Sequence, residues 1–173
     1  MIITSATSRD IPSLAALINS GYRGEASKKG WTTEADFLKG ELRTDEETLS
    51  ALMQKPGSCF LKYLNDTGQT EGCVYLDKNK NRLYLGMLTV SPVQQAKGIG
   101  KQLMKAAEAY GLQQNCNIIY LRVISLRFEL IDWYLKLGYN KTGQTEPFPD
   151  DNRFGTPTQP LEFLILEKCI SNN

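Results

Sequence analysis

The sequence predicts a mixed α/β fold: a central, mostly antiparallel sheet of about seven strands with helices on both faces. Three observations predict it. Apolar, β-branched segments at residues 58–64, 72–76 and 82–90 are separated by polar turn clusters, which is the pattern of an antiparallel meander. Helical periodicity at 98–111 and 127–137 alternates with apolar strands, which is the pattern of βαβ units. The composition is that of a globular chain, with 173 residues, 41% hydrophobic and 23% charged. A chain of this length buries a core without disulfides or metals, and it is expected to form one domain over residues 1–173.

The elements follow in order. Residues 1–6 are apolar and β-branched and read as a first strand. Ile11, Leu14, Ala15 and Ile18 recur at helical spacing, with Ser8 or Asp10 as the cap and Pro12 in the first turn, where a missing N–H costs little. Residues 21–30 are polar and glycine-rich, hence a loop. Thr32-Thr33-Glu34-Ala35 reads as the start of a second helix, and 45–54 as a third that stops before Pro56-Gly57. After the meander, Ser91-Pro92 ends a strand and residues 98–111 form a helix with Ile99, Leu103, Ala106, Ala107 and Tyr110 on one face. Residues 117–123 form a buried strand, and the helix 127–137 ends at Gly138 as its left-handed C-terminal residue. Residues 138–144 and 161–170 close the sheet, with a long proline-bearing loop between them, the kind that is usually functional or disordered.

Several chemistries are excluded at once. The chain has no histidine, so Ser-His-Asp triads, Cys-His pairs and His-ligated metals are impossible, and no metal site is expected. The net charge of +1 gives no basic excess for nucleic acid. The four cysteines are dispersed, form no CxxC and sit among apolar residues, so they read as reduced, buried thiols of a cytoplasmic protein. No apolar run approaches the length of a membrane span, and no signal peptide is visible, so neither membrane nor export is expected.

The most informative stretch is Leu88-Thr89-Val90-Ser91-Pro92-Val93-Gln94-Gln95-Ala96-Lys97-Gly98-Ile99-Gly100-Lys101. A strand stops at a proline, a polar turn follows, and Gly-x-Gly opens an amphipathic helix. Glycines let a ligand approach the backbone, and a helix start offers unpaired N–H groups to an anion. The Walker A and Rossmann patterns are absent. Gln-x-x-Gly-x-Gly after a strand ending in Val-x-Pro resembles the acetyl-CoA loop of the GNAT N-acetyltransferase superfamily. The resemblance implies an acetyl-CoA-dependent acyltransferase that binds its co-substrate through Leu88, Thr89, Val90, Gln95, Ala96, Lys97, Gly98, Ile99, Gly100 and Lys101. It also implies a β-bulge before the loop, which splays two strands apart.

A second signature of that family is resembled from Val123 to Gly138-Tyr139. It places Tyr134 as the acid that protonates the leaving thiolate, with core packing on the apolar face beside Leu130 and Ile131 as its competing role. Two residues depart from the pattern. Arg127 stands where the family has Asn, and Leu130 where it has Ala. Arg127 is taken as a CoA phosphate contact.

The strand 82–88 carries no carboxylate, so a general base is sought in Glu25, Glu34 or a water chain, or is absent. Specificity is placed in Tyr22-Arg23-Gly24-Glu25, in Trp31-Thr32-Thr33-Glu34 and in the loop Asp150-Asp151-Asn152-Arg153, with capping and core packing as the alternative roles of the Trp31–Glu34 segment. The expected substrate is a small primary amine. Acetylation of a protein N-terminus or lysine, and an acyl-CoA-binding module with little turnover, stay open as alternatives, as does a homodimer.

Overall fold

The computed structural model describes residues 2–171, so Met1 of the predicted first strand lies outside the described residues. In chain order the elements are β1 (Ile2–Ser5), α1 (Ile11–Tyr22), α2 (Gly24–Ser27), β2 (Leu38–Lys39), α3 (Glu46–Gln54), β3 (Ser58–Leu64), β4 (Thr70–Asn79) and β5 (Arg82–Val90). They continue as α4 (Ile99–Gln113), β6 (Ile118–Ile124), α5 (Phe128–Lys136), β7 (Asn140–Pro147), β8 (Thr156–Pro157) and β9 (Glu162–Cys169). Seven strands form one sheet in the order β1-β3-β4-β5-β6-β9-β7, and β2 pairs with β8 in a separate ribbon. Every neighbour in the large sheet is antiparallel except β5–β6, which α4 connects as a parallel crossover.

The sheet's period of two divides the core between its faces. On β4, Cys73 and Tyr75 join Phe60 and the apolar stripe Ile11, Leu14 and Ile18 of α1. Val74 and Leu76 point the other way, to Leu103, Met104 and Ala107 of α4 and to Ile131 and Tyr134 of α5. The cysteines are free, as expected, but only Cys73 and Cys116 are buried; Cys59 is half-buried and Cys169 exposed. Among the described residues no helix is long and apolar enough to cross a membrane.

The structure departs from the sequence reading where long-range contacts outweigh local signals. Residues 21–30 are not all loop: α1 runs to Tyr22 and one further turn, α2, follows. Residues 32–35 start no helix. Their chain turns, the Glu34 carbonyl accepting from the N–H groups of Phe37 and Leu38, and enters β2. At the first helix, a short 3-10 turn over Ser8–Asp10 precedes α1, and Asp10 accepts from both the N–H and the hydroxyl of Thr7. Pro12 does sit in the first turn of α1. Asp45 caps α3, its carboxylate accepting from the Thr48 N–H at 2.8 Å.

One irregularity positions the site. β4 and β5 are in register at Tyr75–Gly86 and again at Cys73–Thr89, so β5 carries one extra residue opposite Val74. This is a β-bulge, with Met87 in the left-handed region at φ 49°. Beside it the parallel β5–β6 ladder ends at Leu85–Leu121, while β5 continues to Val90 on β4 and β6 continues to Ile124 on β9. The two central strands therefore part, and a cleft opens between their C-terminal halves.

Gly72 faces α4 across this region. A β-carbon there would lie 3.0 Å from both Ile99 Cγ2 and Leu103 Cδ1 and 3.2 Å from the Thr89 carbonyl oxygen. Gly72→Ala is expected to cost about 1–3 kcal/mol by overpacking, read from denaturant unfolding; an unchanged midpoint would mean that α4 is not seated against β4 as described.

Candidate active site

The cleft holds a cavity of about 410 Å³. Its floor is Leu88 and Val90 of β5, and its far wall is Leu130, Trp133 and Tyr134 of α5. One end is the loop from Gln94 to the first turn of α4, and the other is Tyr22 with Trp31 and Thr32.

The loop end is built to receive an anion. Gly98, at φ 83°, is the residue that caps α4, and no side chain satisfies the first N–H groups of the helix there. The first turn-closing bond runs from Gln102 N to the Gly98 carbonyl, which leaves the N–H groups of Ile99, Gly100 and Lys101 without helical partners. A β-carbon on Gly98 would meet nothing within 4 Å, and one on Gly100 would meet the Trp133 ring at 3.5 Å. The glycines thus leave a bare backbone facing open space, which fits a pyrophosphate. Lys101 lines the cavity beside them.

Gln95 fixes this loop to its surroundings. Its Nε2 donates to the Val90 carbonyl at 3.2 Å and to the Thr32 hydroxyl at 2.8 Å, and its Oε1 accepts from the Trp31 N–H at 2.9 Å. Ala96, at φ 63°, turns the chain back toward Gly98. Trp31 stacks edge-on to Trp133 with centroids 6.0 Å apart, roofing the cavity over Gly100.

Two tyrosines meet in the middle. The Tyr22 hydroxyl donates to the Leu88 carbonyl at 2.6 Å, which satisfies an oxygen that the parting of β6 leaves unpaired. Tyr134 is almost wholly buried among apolar rings, its centroid 5.0 Å from Trp133 and 5.7 Å from Tyr139. Its hydroxyl makes no hydrogen bond among the described residues, and its side chain lines the cavity. Burial, with a smaller contribution from Tyr22, pushes the Tyr134 phenol well above the ordinary tyrosine value, so it keeps its proton throughout the physiological range.

The structure brings Leu88, Val90, Gln95, Ala96, Gly98, Ile99, Gly100, Lys101, Trp31 and Tyr134 to one cavity. The others lie elsewhere. Thr89 is buried and its hydroxyl donates to the Met87 carbonyl at 3.0 Å. Lys97 reaches back to the Gln94 side chain. Arg153 is drawn to Asp45 at 2.9 Å at the start of α3. Arg127 does not reach the phosphate end. Its side chain is buried at the start of α5, with Nη1 3.6 Å from Glu34 Oε1. Thr32, named with Trp31, does join the lining, while sequence reasoning missed Trp133 and Gln94 there and Arg43 beside Tyr22 and Glu34.

Glu34 lies outside this cavity. Its carboxylate binds Arg23 Nη1 directly, with Arg43 Nε 3.9 Å and Arg127 Nη1 3.6 Å away. It starts no helix and instead lines a smaller pocket with Arg23 and Arg43, and among the described residues no carboxylate lines the main cavity. Glu25 is equally remote, forming an exposed pair with Lys28. Removing the single anion from three guanidiniums strands buried positive charge. Glu34→Gln is therefore expected to destabilise the protein by about 3–5 kcal/mol, seen as a fall in Tm. A Tm within 1 °C of wild type, an order-of-magnitude bound on a silent change, would show that the cluster carries no such weight.

Comparison with known proteins agrees with this geometry. The sequence matches the Acetyltransferase (GNAT) family over residues 19–139. It is 26% identical over 132 residues to N-acetylaspartate synthetase of Danio rerio, covering 75% of this chain and 46% of that protein. It is 27% identical over 125 residues to N-acetyltransferase 8B of Homo sapiens, covering 69% and 54%. The chain thus spans about half the length of these curated relatives. Its fold resembles the crystal structure of the ribosomal-protein-S18-alanine N-acetyltransferase from Escherichia coli, with a TM-score of 0.73 at 16% identity over 99% of this chain and 95% of that one. With the bulge, the cleft and the glycine-bearing helix start in place, the chain belongs to the GNAT acetyltransferase family, a family of acyltransferases.

Proposed function

We propose that the chain, acting as one catalytic unit over residues 1–173, transfers an acetyl group from acetyl-CoA directly to a primary amine of a small molecule. The observation that carries this reading is the cleft between β5 and β6, with an anion-binding helix start at one end and a free tyrosine hydroxyl in its wall. Bound acetyl-CoA supplies an activated thioester. The unpaired N–H groups of Ile99, Gly100 and Lys101 would hold its pyrophosphate. The open edge of β5 from Leu88 to Val90 would take the extended chain behind it like an added strand.

Acyl transfer forms an N–C bond, breaks the C–S bond and leaves a thiolate that needs a proton. Among the described residues Tyr134 is the one titratable hydroxyl in the wall without a protein partner, so its proton is free for that sulfur. Tyr22 is committed to Leu88 and instead holds the β5 edge in place. With no carboxylate in the lining, the amine arrives already neutral or loses its proton to water. An amine of pKa near 10.4 is about one part in 10³ neutral at pH 7, so this costs roughly 4 kcal/mol. A small acceptor suits the pocket lined by Arg43 next to Tyr22, which is only about 170 Å³. The name of one relative, N-acetylaspartate synthetase, denotes an N-acetylated small molecule. The four free cysteines suit the reducing cytoplasm.

The test is release of CoA thiol from acetyl-CoA by the purified chain across a set of primary amines. Amine-dependent release is expected; tight acetyl-CoA binding without turnover would make the protein a binder. Tyr134→Phe keeps the ring packing and is expected to lower kcat by roughly 10²-fold. In wild type kcat/KM is expected to rise with pH as the amine loses its proton. Tyr134 adds no alkaline downturn below about pH 10, because its raised pKa keeps the donor protonated there. A near-normal kcat in the variant would return Tyr134 to the core.

The cradle has its own check. Gly98→Asp and Gly100→Asp place a side chain and a negative charge where the pyrophosphate would lie. Calorimetry is expected to show acetyl-CoA affinity lowered by at least about tenfold in both. Unchanged affinity in folded variants would move the phosphate site elsewhere.

A further inference from the structure

We propose that the acceptor amine carries a carboxylate, recognised by Arg43 in the pocket next to Tyr22 against the positive charge of Arg23 and Arg127. This rests on the acetyl-transfer reading above and names the substrate class of that site.

Charge is the first observation. Arg23, Arg43 and Arg127 converge on the one carboxylate of Glu34. Three cations against one anion leave an excess of two. Asp151 lies on the rim of the same pocket, but its carboxylate accepts from the Arg153 N–H at 2.9 Å within its own loop. Counting it still leaves one positive charge unmatched. Buried charges are ordinarily paired, because the interior solvates them poorly.

Unused donors are the second. Arg23 spends Nη1 on Glu34 and the Tyr22 carbonyl, and Nη2 on the Phe154 carbonyl. Its Nε is buried without a partner and faces Gly155, where a β-carbon would lie 3.5 Å away. The Arg127 side chain is only 6% exposed, yet its guanidinium makes no hydrogen bond among the described residues beyond the 3.6 Å approach to Glu34. The Arg43 guanidinium, on a side chain 32% exposed, makes none either and is open to the pocket, touching only the Tyr22 ring, 5.8 Å from its centroid, and Glu34 at 3.9 Å. A buried guanidinium with idle N–H groups is unusual, and its best complement is a planar two-oxygen anion.

Placement is the third. The pocket of about 170 Å³ is walled by Phe148, Phe154 and Phe163, and Arg23 and Arg43 line it together with the carboxylates of Glu34 and Asp151. Tyr22 lines the main cavity, and Arg43, over its ring, lines the smaller pocket. Arg43 lies over the face of the Tyr22 ring, while its hydroxyl bonds Leu88 at the thioester end. An anion beside Arg43 and an amine beside Leu88 would thus both lie against one phenol. The aromatic walls lower the local dielectric and strengthen the attraction, and Arg23 and Arg43 disfavour a bare cationic amine in the same place.

The experiment has a kinetic and a binding arm. In the first, kcat/KM is measured for glycine, β-alanine, aspartate and glutamate and for their amides and decarboxylated counterparts. At least tenfold preference for a carboxylate-bearing amine is expected in wild type. That ratio should fall to near one in Arg43→Gln and recover in part in Arg43→Lys. Equal rates for acid and amide, or a preference that survives both Arg43→Gln and Arg127→Gln, would overturn the proposal. The second arm needs no turnover. The N-acetylated forms of the same four acids, with CoA present, are expected to raise Tm where their amides do not, and Arg43→Gln should abolish the rise. If acetyl-CoA binds but no amine is acetylated, the transfer reading fails on its own. A Tm rise specific to the carboxylate would still uphold the anion pocket, and no rise with any of the four would overturn it.

Discussion

One extra residue in β5 governs the rest of the site. The bulge opposite Val74 forces Met87 to φ 49°, a conformation that costs a non-glycine residue about 1–2 kcal/mol. The cost is borne because the strand is over-determined on both sides. Tyr75–Gly86 and Cys73–Thr89 fix the register, and Met87 itself packs against the α1 and α3 core. What the distortion produces is an edge in the middle of a sheet. Past Leu85 the strand has no partner on its β6 side, and such an edge is ordinarily a hazard. Here it is the feature on which a ligand would lie.

The side chains around the cleft then follow as consequences of that edge. A buried carbonyl without a ladder partner must find a donor. Leu88 finds the Tyr22 hydroxyl, and Val90 finds the Gln95 amide. These two bonds bring the end of α1 and the loop before α4 to the same strand. Through Gln95 they also bring Trp31 and Thr32, which no sheet contact holds. The floor, one end and the roof of the cavity are thus coupled through hydrogen bonds to one distorted strand. A change at Gln95 would loosen the loop, the roof and the strand end together.

How much of this was legible in the sequence depended on whether a local residue announced it. The helix start could be read because Gly98 and Gly100 are themselves the signal, and the meander because its turns are polar and its strands apolar. The bulge could not be read from the residues, since Gly86-Met87-Leu88-Thr89 continues an unbroken strand pattern and nothing marks Met87 as left-handed. Only a resemblance to the family foretold it. Glu34 was misread for a related reason. Thr32-Thr33-Glu34 has the local form of a helix cap, but its real partners come from residues 23, 43 and 127, which fold alone brings together. Trp133 read as one more apolar position on an amphipathic helix, whereas the parting of β5 and β6 turns that part of the helix into a cavity wall.

The same parting explains why, of two neighbouring phenols, one suits chemistry and the other does not. Tyr134 and Tyr139 have ring centroids 5.7 Å apart, and burial pushes both phenols far above the ordinary tyrosine value. Neither hydroxyl has a hydrogen-bond partner among the described residues. The Tyr139 hydroxyl is sealed, orphaned beneath the sheet, and its proton has nowhere to go. The Tyr134 side chain opens onto the cleft that the bulge creates. A raised pKa alone therefore assigns no role, because the two share it. Access does, and access is set by where one strand leaves its neighbour. In the proposed role, an acid in this position would need no histidine and no second carboxylate, only a thiolate arriving beside its hydroxyl.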